Sequence, residues 1–258
     1  MNYNGTDEVI GDDENSSENA NSMDKRRAGE SFTTSDRNSS HGSLKAVTPI
    51  RFSVNPGQSS DRNIVAYHLY NSFNYSLFAP SGNKNVKVSL GITSPNQGEG
   101  KTTTVCNLAT AISLGAGRRT VVVDFNLTRP RIHEIFGTQR SPGLAEALTS
   151  NNICVTPTQT KNLFALPVGD LRIVSPSSLA NFRDVLPWLF TEFDFVIVDM
   201  PSVNSKSFPT LIANQLNGLI VVVESGSTKR RDVNKLFRKI REKDVVGFVM
   251  NKVEETDL

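Results

Sequence analysis

The chain has 258 residues, of which 37% are hydrophobic and 21% are charged, and its formal net charge is +2. This length suffices for one sizeable α/β domain, while no apolar run approaches the roughly 20 residues that span a bilayer. Cys106 and Cys154 lack a CxxC spacing, which argues against a disulfide framework or a cysteine metal site. These features predict a cytoplasmic protein.

The N-terminal segment, residues 1–60, is rich in Ser, Asn, Asp and Glu, and its apolar residues follow neither a period of 2 nor one of 3.6. Such a segment buries too little surface to offset its conformational entropy, so a disordered tail is predicted. A short basic run, KRR at 25–27, is too small to indicate nucleic-acid binding.

The folded domain is predicted to follow over residues 61–258. A helix is expected at 62–78, a strand in VKVSLGI at 86–92, a helix at 102–114 after a glycine-rich loop, and a strand in TVVVD at 120–124. Strand, loop, helix and strand in this order form a βαβ unit with a right-handed crossover.

The alternation continues to the C-terminal end. Helices are predicted near 131–136, 144–148, 178–190, 209–216 and 232–241, and strands near 163–166, 195–199, 218–224 and 245–250. This order predicts an α/β fold with a doubly wound, mostly parallel sheet.

The loop GEGKT, with a further Thr after it, has the residues of a phosphate cradle. Main-chain amides of a glycine-rich turn at a helix N-terminus face an anion, a lysine adds a positive charge, and a threonine hydroxyl is a ligand for Mg²⁺. Pro95 stands where the full phosphate-loop pattern has its first glycine. The predicted nucleotide-binding residues here are Gly98, Glu99, Gly100, Lys101, Thr102 and Thr103.

Two carboxylates support a nucleotide site. Asp124 ends VVVD and Asp199 ends FVIVD, so both are predicted at the carboxyl edge of the sheet, where such folds bind ligands. A single aspartate at a strand end is more often a cap. Two of them together with GEGKT favour a site for ATP and Mg²⁺ and a P-loop NTPase.

The runs GEGKTTTVCNLA, VVVDFNLTRPRIHEIFG, GLAEAL and FDFVIVDMPSV resemble the bacterial tyrosine kinases of capsular and exopolysaccharide systems, the CpsD and CapB-like family, which is related to MinD and ParA ATPases. The resemblance implies that Lys101 binds the β and γ phosphates and that Thr102 and Asp199 serve the metal. It implies that Asp124 accepts the proton of a tyrosine hydroxyl. Asn251 would contact the base.

Several positions depart from the family pattern. Asn126 stands where the family has a second aspartate of the metal site, and the loss of one charge pair, on the order of 4 kcal/mol before desolvation, would weaken metal affinity. The ring-forming charges of the first helix are replaced by Val65, His68 and Asn71. The chain stops at ETDL, without the family's C-terminal tyrosine cluster.

Three hypotheses follow. The first is an ATP-dependent tyrosine kinase that a membrane-bound, Wzz-like chain-length regulator recruits to the inner face of the membrane and activates. The second is a nucleotide-binding regulator with weak catalysis, with self-association left open. The third is a MinD or ParA-type positioning ATPase, against which Asn96 counts, because those proteins carry an extra lysine at its position. No nucleic-acid partner is expected.

Overall fold

The computed structural model describes residues 50–51, 87–241 and 244–253. The strands are β1 (Ile50–Arg51), β2 (Val88–Thr93), β3 (Thr120–Asp124), β4 (Thr156–Pro157), β5 (Leu163–Leu166), β6 (Phe195–Asp199), β7 (Gly218–Glu224) and β8 (Val245–Asn251). The helices are α1 (Lys101–Gly115), α2 (Ile132–Phe136), α3 (Leu144–Ser150), α4 (Phe182–Glu192), α5 (Thr210–Ala213) and α6 (Arg230–Leu236). Strands and helices alternate, which confirms the predicted α/β class.

The described strands form one sheet in the order β1-β8-β7-β2-β6-β3-β5-β4. Neighbours are parallel except β4, which is antiparallel to β5. The chain moves from β2 towards β3 on one side and returns to β7 and β8 on the other. The order therefore reverses at β2, and the loop after β2 lies at the position where open α/β sheets bind ligands.

Both faces of the sheet are buried, which explains the continuous apolar runs in its strands. Val121 and Val123 of β3 pack into one hydrophobic cluster, with α3 and α4, whereas Val122 packs into the other, with α1. Burying each of these side chains contributes about 1.5–3 kcal/mol relative to leaving it exposed. The two clusters fix β3 and its neighbours, and hence the residues at their carboxyl ends.

Most predicted elements are present with small shifts at their ends. The predicted helix at 178–190 is a 3₁₀ turn, Ser178–Asn181, followed by α4. The predicted helix at 232–241 begins earlier and ends earlier, as α6. Beyond it, Arg238 and Lys239 donate main-chain hydrogen bonds three residues back, to Lys235 and Leu236, so the chain tightens into turns.

Two strands were not predicted. The edge strand β4 contains Pro157, whose missing N–H is tolerated only at an edge or an end of a sheet. The other is β1, which pairs with Val249 and Met250 of β8 although Ile50 and Arg51 fall inside the predicted disordered tail. The rest of that tail and the predicted helix at 62–78 lie outside the described residues.

A search of the described part of the chain finds no helix with the length and apolar character needed to cross a bilayer.

Candidate functional site

The glycine-rich loop connects β2 to α1, as predicted from the sequence. Gly98 and Gly100 have φ angles of 86° and 95°, in the left-handed region that favours glycine. This backbone delivers the chain into α1 at Lys101. The first amides of a helix have no acceptor within the helix, so the N-terminus of α1 offers donors to an anion.

Lys101 is the cation of the site. Its side chain is only 7% exposed, and its Nζ donates to Ser94 Oγ at 3.1 Å. Burial lowers the pKa of the Lys101 ammonium below its ordinary value, while the carboxylates of Asp199 and Glu99 act to raise it. A phosphate group here would add negative charge and favour the charged ammonium further.

Thr102 and Asp199 are in direct contact. Thr102 Oγ1 donates to Asp199 Oδ2 at 2.7 Å, which joins the start of α1 to the end of β6. The other carboxylate oxygen, Asp199 Oδ1, is buried and has no hydrogen-bond partner among the residues that the structure describes. Burial raises the pKa of Asp199 to about 7, and the charge of Asp124 adds to this effect. The Thr102 hydroxyl and Lys101 act to lower the same pKa.

Asp124 is the Cα partner of Asp199 across β3 and β6. Its Oδ1 accepts the main-chain N–H of Asn126, and its Oδ2 accepts those of Arg131 and Ile132. Burial raises the pKa of Asp124 to about 6, although the three backbone donors and the charge of Arg140 act to lower it. These contacts fix the turn after β3; the role of Asp124 as a general base stays a prediction.

An open cavity of about 240 Å³ is lined in part by Lys101 and Thr102. Asn126 forms part of its wall, and its Oδ1 accepts the hydroxyl of Thr128 at 3.2 Å. The lining of the cavity consists of Gln97, Gly98, Gly100, Lys101, Thr102, Thr103, Asn126, Thr128, Arg129, Arg131, Pro201 and Ser202. Of the predicted site residues, the lining thus contains Gly98, Gly100, Lys101, Thr102, Thr103 and Asn126. Asp124 and Asp199 are fully buried and are not part of it, although Asp199 contacts the lining residue Thr102.

The site fits Mg²⁺. The unpaired Asp199 Oδ1 and the hydroxyl of Thr102 are hard oxygen donors beside the cavity. Among residues 87–241 and 244–253, no group of three or more His, Cys, Asp or Glu side chains could hold a metal ion. Most ligands of the ion would therefore be phosphate oxygens and water, as Mg²⁺ commonly has in phosphoryl-transfer sites.

Two predicted nucleotide-binding residues, Glu99 and Asn251, are absent from the cavity lining. The Glu99 carboxylate is 3% exposed and accepts hydrogen bonds from Asn96 and Thr228, so its side chain is absent from the cavity lining. Asn251 Nδ2 donates to the Glu99 carbonyl oxygen at 3.1 Å. A Cβ on Gly100 would lie 2.0 Å from that Nδ2. Asn251 supports the loop here, and its contact with a base stays a prediction.

Sequence reasoning missed several residues of the site. Ser94, which accepts from Lys101, directly follows β2, and its position at a strand end was a usable signal. Arg129, Arg131 and Ser202 line the cavity, as the turns after two strands that end in aspartate allow. Thr228 is 129 residues away from Glu99 in the sequence, so no local pattern predicted their contact.

Some departures from the family pattern fall on residues that the structure does not describe. These are the first-helix positions Val65, His68 and Asn71 and the C-terminal residues 254–258.

The family described as the CobQ/CobB/MinD/ParA nucleotide binding domain matches residues 90–258. Tyrosine-protein kinase CpsD of Streptococcus pneumoniae is 31% identical over 187 residues, which cover 67% of this chain and 79% of that kinase.

Solved structures agree with this relationship. The crystal structure of the chimerical protein CapA2B2 has a TM-score of 0.65 and 26% identity, with coverage of 80% of this chain and 95% of that one. The septum site-determining protein MinD of Pyrococcus horikoshii, complexed with Mg-ADP, has a TM-score of 0.58 and 22% identity, with coverage of 67% and 75%. That second likeness concerns the fold alone. The chain therefore belongs to the CobQ/CobB/MinD/ParA nucleotide-binding family and, within it, groups with the bacterial tyrosine-protein kinases CpsD and CapB.

Proposed function

We propose that this chain binds Mg·ATP and transfers the γ-phosphoryl group to a tyrosine hydroxyl, and so regulates the synthesis or export of a surface polysaccharide. The observation that carries the proposal is the contact of Thr102 with Asp199 next to the buried Lys101. These three side chains have the chemistry that phosphoryl transfer requires: a cation for the phosphates, a hydroxyl for the metal, and a carboxylate beside it.

Each of these residues has a separate task in the proposed reaction. Lys101 would bind the β and γ phosphates, because it is the charged group at the N-terminus of α1. Thr102 and Asp199 would hold Mg²⁺, which when bound neutralises charge on the phosphate oxygens. Asp124 would take the proton of the acceptor hydroxyl, and its raised pKa of about 6 makes it a stronger base than an exposed aspartate.

The partner is proposed from the resemblance of this chain to the bacterial tyrosine kinases of capsular and exopolysaccharide systems. CpsD of Streptococcus pneumoniae and Wzc of Salmonella typhi are both named as tyrosine-protein kinases. We infer that a membrane-bound, Wzz-like chain-length regulator recruits this chain to the inner face of the membrane and activates it.

The test combines ATP binding with phosphotyrosine formation. Purified wild-type protein is incubated with Mg·ATP and the regulator's intracellular segment, and phosphotyrosine is detected on both chains. Lys101→Ala is measured in parallel, with Lys161→Ala as the matched control, because Lys161 is an exposed lysine that does not line the cavity. We expect Lys101→Ala to remove both tight binding and phosphotyrosine, and Lys161→Ala to keep them. ATP binding without phosphotyrosine on any chain would rule out the kinase.

A second candidate is a nucleotide-binding regulator with weak catalysis. It is favoured by Asn126, which lies in the cavity wall as a neutral amide at the position where the family carries a carboxylate. In that case ATP binding alone would control docking onto the polysaccharide machinery. The substitution Asn126→Asp separates the two candidates, as described in the Discussion.

The third hypothesis, a MinD or ParA-type positioning ATPase, has less support. Asn96 Nδ2 donates to Glu99 Oε1 at 3.2 Å, within its own loop. An ATP-driven dimer that binds DNA or lipid would favour this hypothesis over the kinase.

A further inference from the structure

The side chain of Glu99 is the unusual element of the phosphate loop. Its neighbours Gly98 and Gly100 line the cavity, whereas Glu99 is absent from the lining and only 3% exposed. Oε2 accepts the main-chain N–H of Asn96 at 2.8 Å. Oε1 accepts Asn96 Nδ2 at 3.2 Å and Thr228 Oγ1 at 2.6 Å. Both oxygens are therefore hydrogen-bonded.

A carboxylate that faced the phosphate from this loop would weaken phosphate binding. Like charges repel at short range, and the repulsion is stronger in a partly buried site than in water. The three donors hold the Glu99 carboxylate in a buried position outside the cavity lining. From there the carboxylate still helps to stabilise the charged form of Lys101.

Thr228 supplies the donor from outside the loop. It follows β7, and its Oγ1 accepts the main-chain N–H of Glu224 at 2.8 Å. With that contact made, the hydroxyl proton is directed to Glu99. Asn251, at the end of β8, donates a second hydrogen bond to this part of the loop, to the Glu99 carbonyl oxygen. The middle of the loop is thus attached to the ends of two strands that are distant in sequence.

We propose that Glu99 and Thr228 form a positioning pair for the nucleotide: their hydrogen bond holds the loop in the shape that receives phosphate and keeps the Glu99 charge away from it. This inference rests on the proposed function, because it concerns the affinity of the same nucleotide site. Neither residue is part of the cavity lining. Both act through the loop.

The experiment measures Mg·ADP affinity by isothermal titration calorimetry, so that turnover does not enter. The substitution Thr228→Val removes the hydroxyl that donates to the Glu99 carboxylate. Because a buried charge with a missing hydrogen bond is costly, we expect the affinity for Mg·ADP to fall about tenfold. Thr228→Ser keeps the hydroxyl and is expected to stay within about twofold of wild type. In the background of Glu99→Gln, where no charge needs the donor, Thr228→Val should cost about twofold or less.

Thr158→Val is the matched control. Thr158 is half-buried like Thr228, and its hydroxyl also accepts a main-chain N–H, from Thr160, and donates to an oxygen, that of Leu163. Thr158 directly follows β4, at the edge of the sheet that is farther from β7. Thermal unfolding without nucleotide, measured for all variants, separates loss of affinity from loss of the fold.

The outcomes distinguish the two proposals. If the wild type binds Mg·ADP and Thr228→Val binds it equally well, or if the effects of Thr228→Val and Glu99→Gln simply multiply, the positioning pair is refuted while the nucleotide site stands. If the wild type does not bind Mg·ADP, the proposed function fails and this inference fails with it. Rescue by Thr228→Ser together with the loss of the effect in Glu99→Gln would establish the pair.

Discussion

Asp124 and Asp199 lie side by side at the ends of β3 and β6, as Cα partners in register on adjacent parallel strands. Both are fully buried. Two carboxylates this close are difficult to ionise together, and burial adds to the effect. Cations beside the pair would stabilise its ionised form, and Lys101 and the proposed Mg²⁺ are such cations.

This pair predicts how stability depends on pH. The folded-state pKa values, about 6 for Asp124 and about 7 for Asp199, are above the ordinary value of 3.8. Raised values mean that the folded state binds more protons than the unfolded state, so the stabilisation is complete below about pH 4 and is lost as the pH rises through 6 to 7. We expect the free energy of unfolding of metal-free protein to fall between about pH 4 and about pH 7 in urea titrations and to level off above that.

Asp199→Asn is the control for this pH effect. The amide does not titrate, so the variant should show a flatter pH profile, while saturating Mg·ADP should flatten the profile of the wild type. Asp170, whose pKa is lowered to about 2, titrates below this window. A stability that rises between about pH 4 and about pH 7 would contradict the prediction.

Gly100→Ala should damage the loop. At φ 95° an alanine is strained by about 1–2 kcal/mol. Its Cβ would also displace the Asn251 amide, which costs a further hydrogen bond, so we expect a total loss of about 2–3 kcal/mol. Weaker Mg·ADP binding should accompany the loss of stability, measured by urea unfolding and calorimetry.

Gly117→Ala is the matched control for this substitution. Gly117 also has a positive φ, 64°, but a Cβ there meets no atom within 4 Å. It should lose only the strain, about 1–2 kcal/mol, and retain nucleotide affinity. Equal effects of the two substitutions on affinity would show that the contact with Asn251 is unimportant.

Thr102→Val should remove the dependence of nucleotide affinity on Mg²⁺. The change deletes the hydroxyl that donates to Asp199 Oδ2 and that would hold the metal. We expect ADP affinity in the presence of Mg²⁺ to drop at least tenfold, because a hydrogen bond to a charged group contributes about 1.5–3 kcal/mol. Thr110→Val, later in α1, is the control. Calorimetry with and without Mg²⁺ is the measurement, and an unchanged response to the metal would count against Thr102 as a ligand.

Asn126→Asp should strengthen metal binding. An added carboxylate in the cavity wall attracts a divalent cation, by up to about 4 kcal/mol before desolvation is subtracted. We expect Mg²⁺ to be bound more tightly in the ADP complex. A simultaneous gain of phosphotyrosine would identify Asn126 as the cause of weak catalysis; tighter metal binding without phosphotyrosine would favour the regulator.

The α/β class, the phosphate loop and the two strand-end aspartates follow from local sequence patterns. Apolar runs predict buried strands, and glycines before Lys101 predict a turn into a helix, because each pattern depends on near neighbours in the chain. The edge strands β1 and β4 gave no such signal, since two residues do not establish a period.

The tertiary structure alone decides which residues meet. The register of β3 against β6 brings Asp124 next to Asp199, and the placement of β7 and β8 beside β2 brings Thr228 and Asn251 to Glu99. The sequence predicts Glu99 and Asn251 as nucleotide-binding residues, and the structure adds the hydrogen bonds of the Glu99 carboxylate with Asn96 and Thr228 and of the Asn251 amide with the Glu99 carbonyl oxygen. Contacts between residues more than a hundred positions apart depend on strand order and register, which no local pattern encodes.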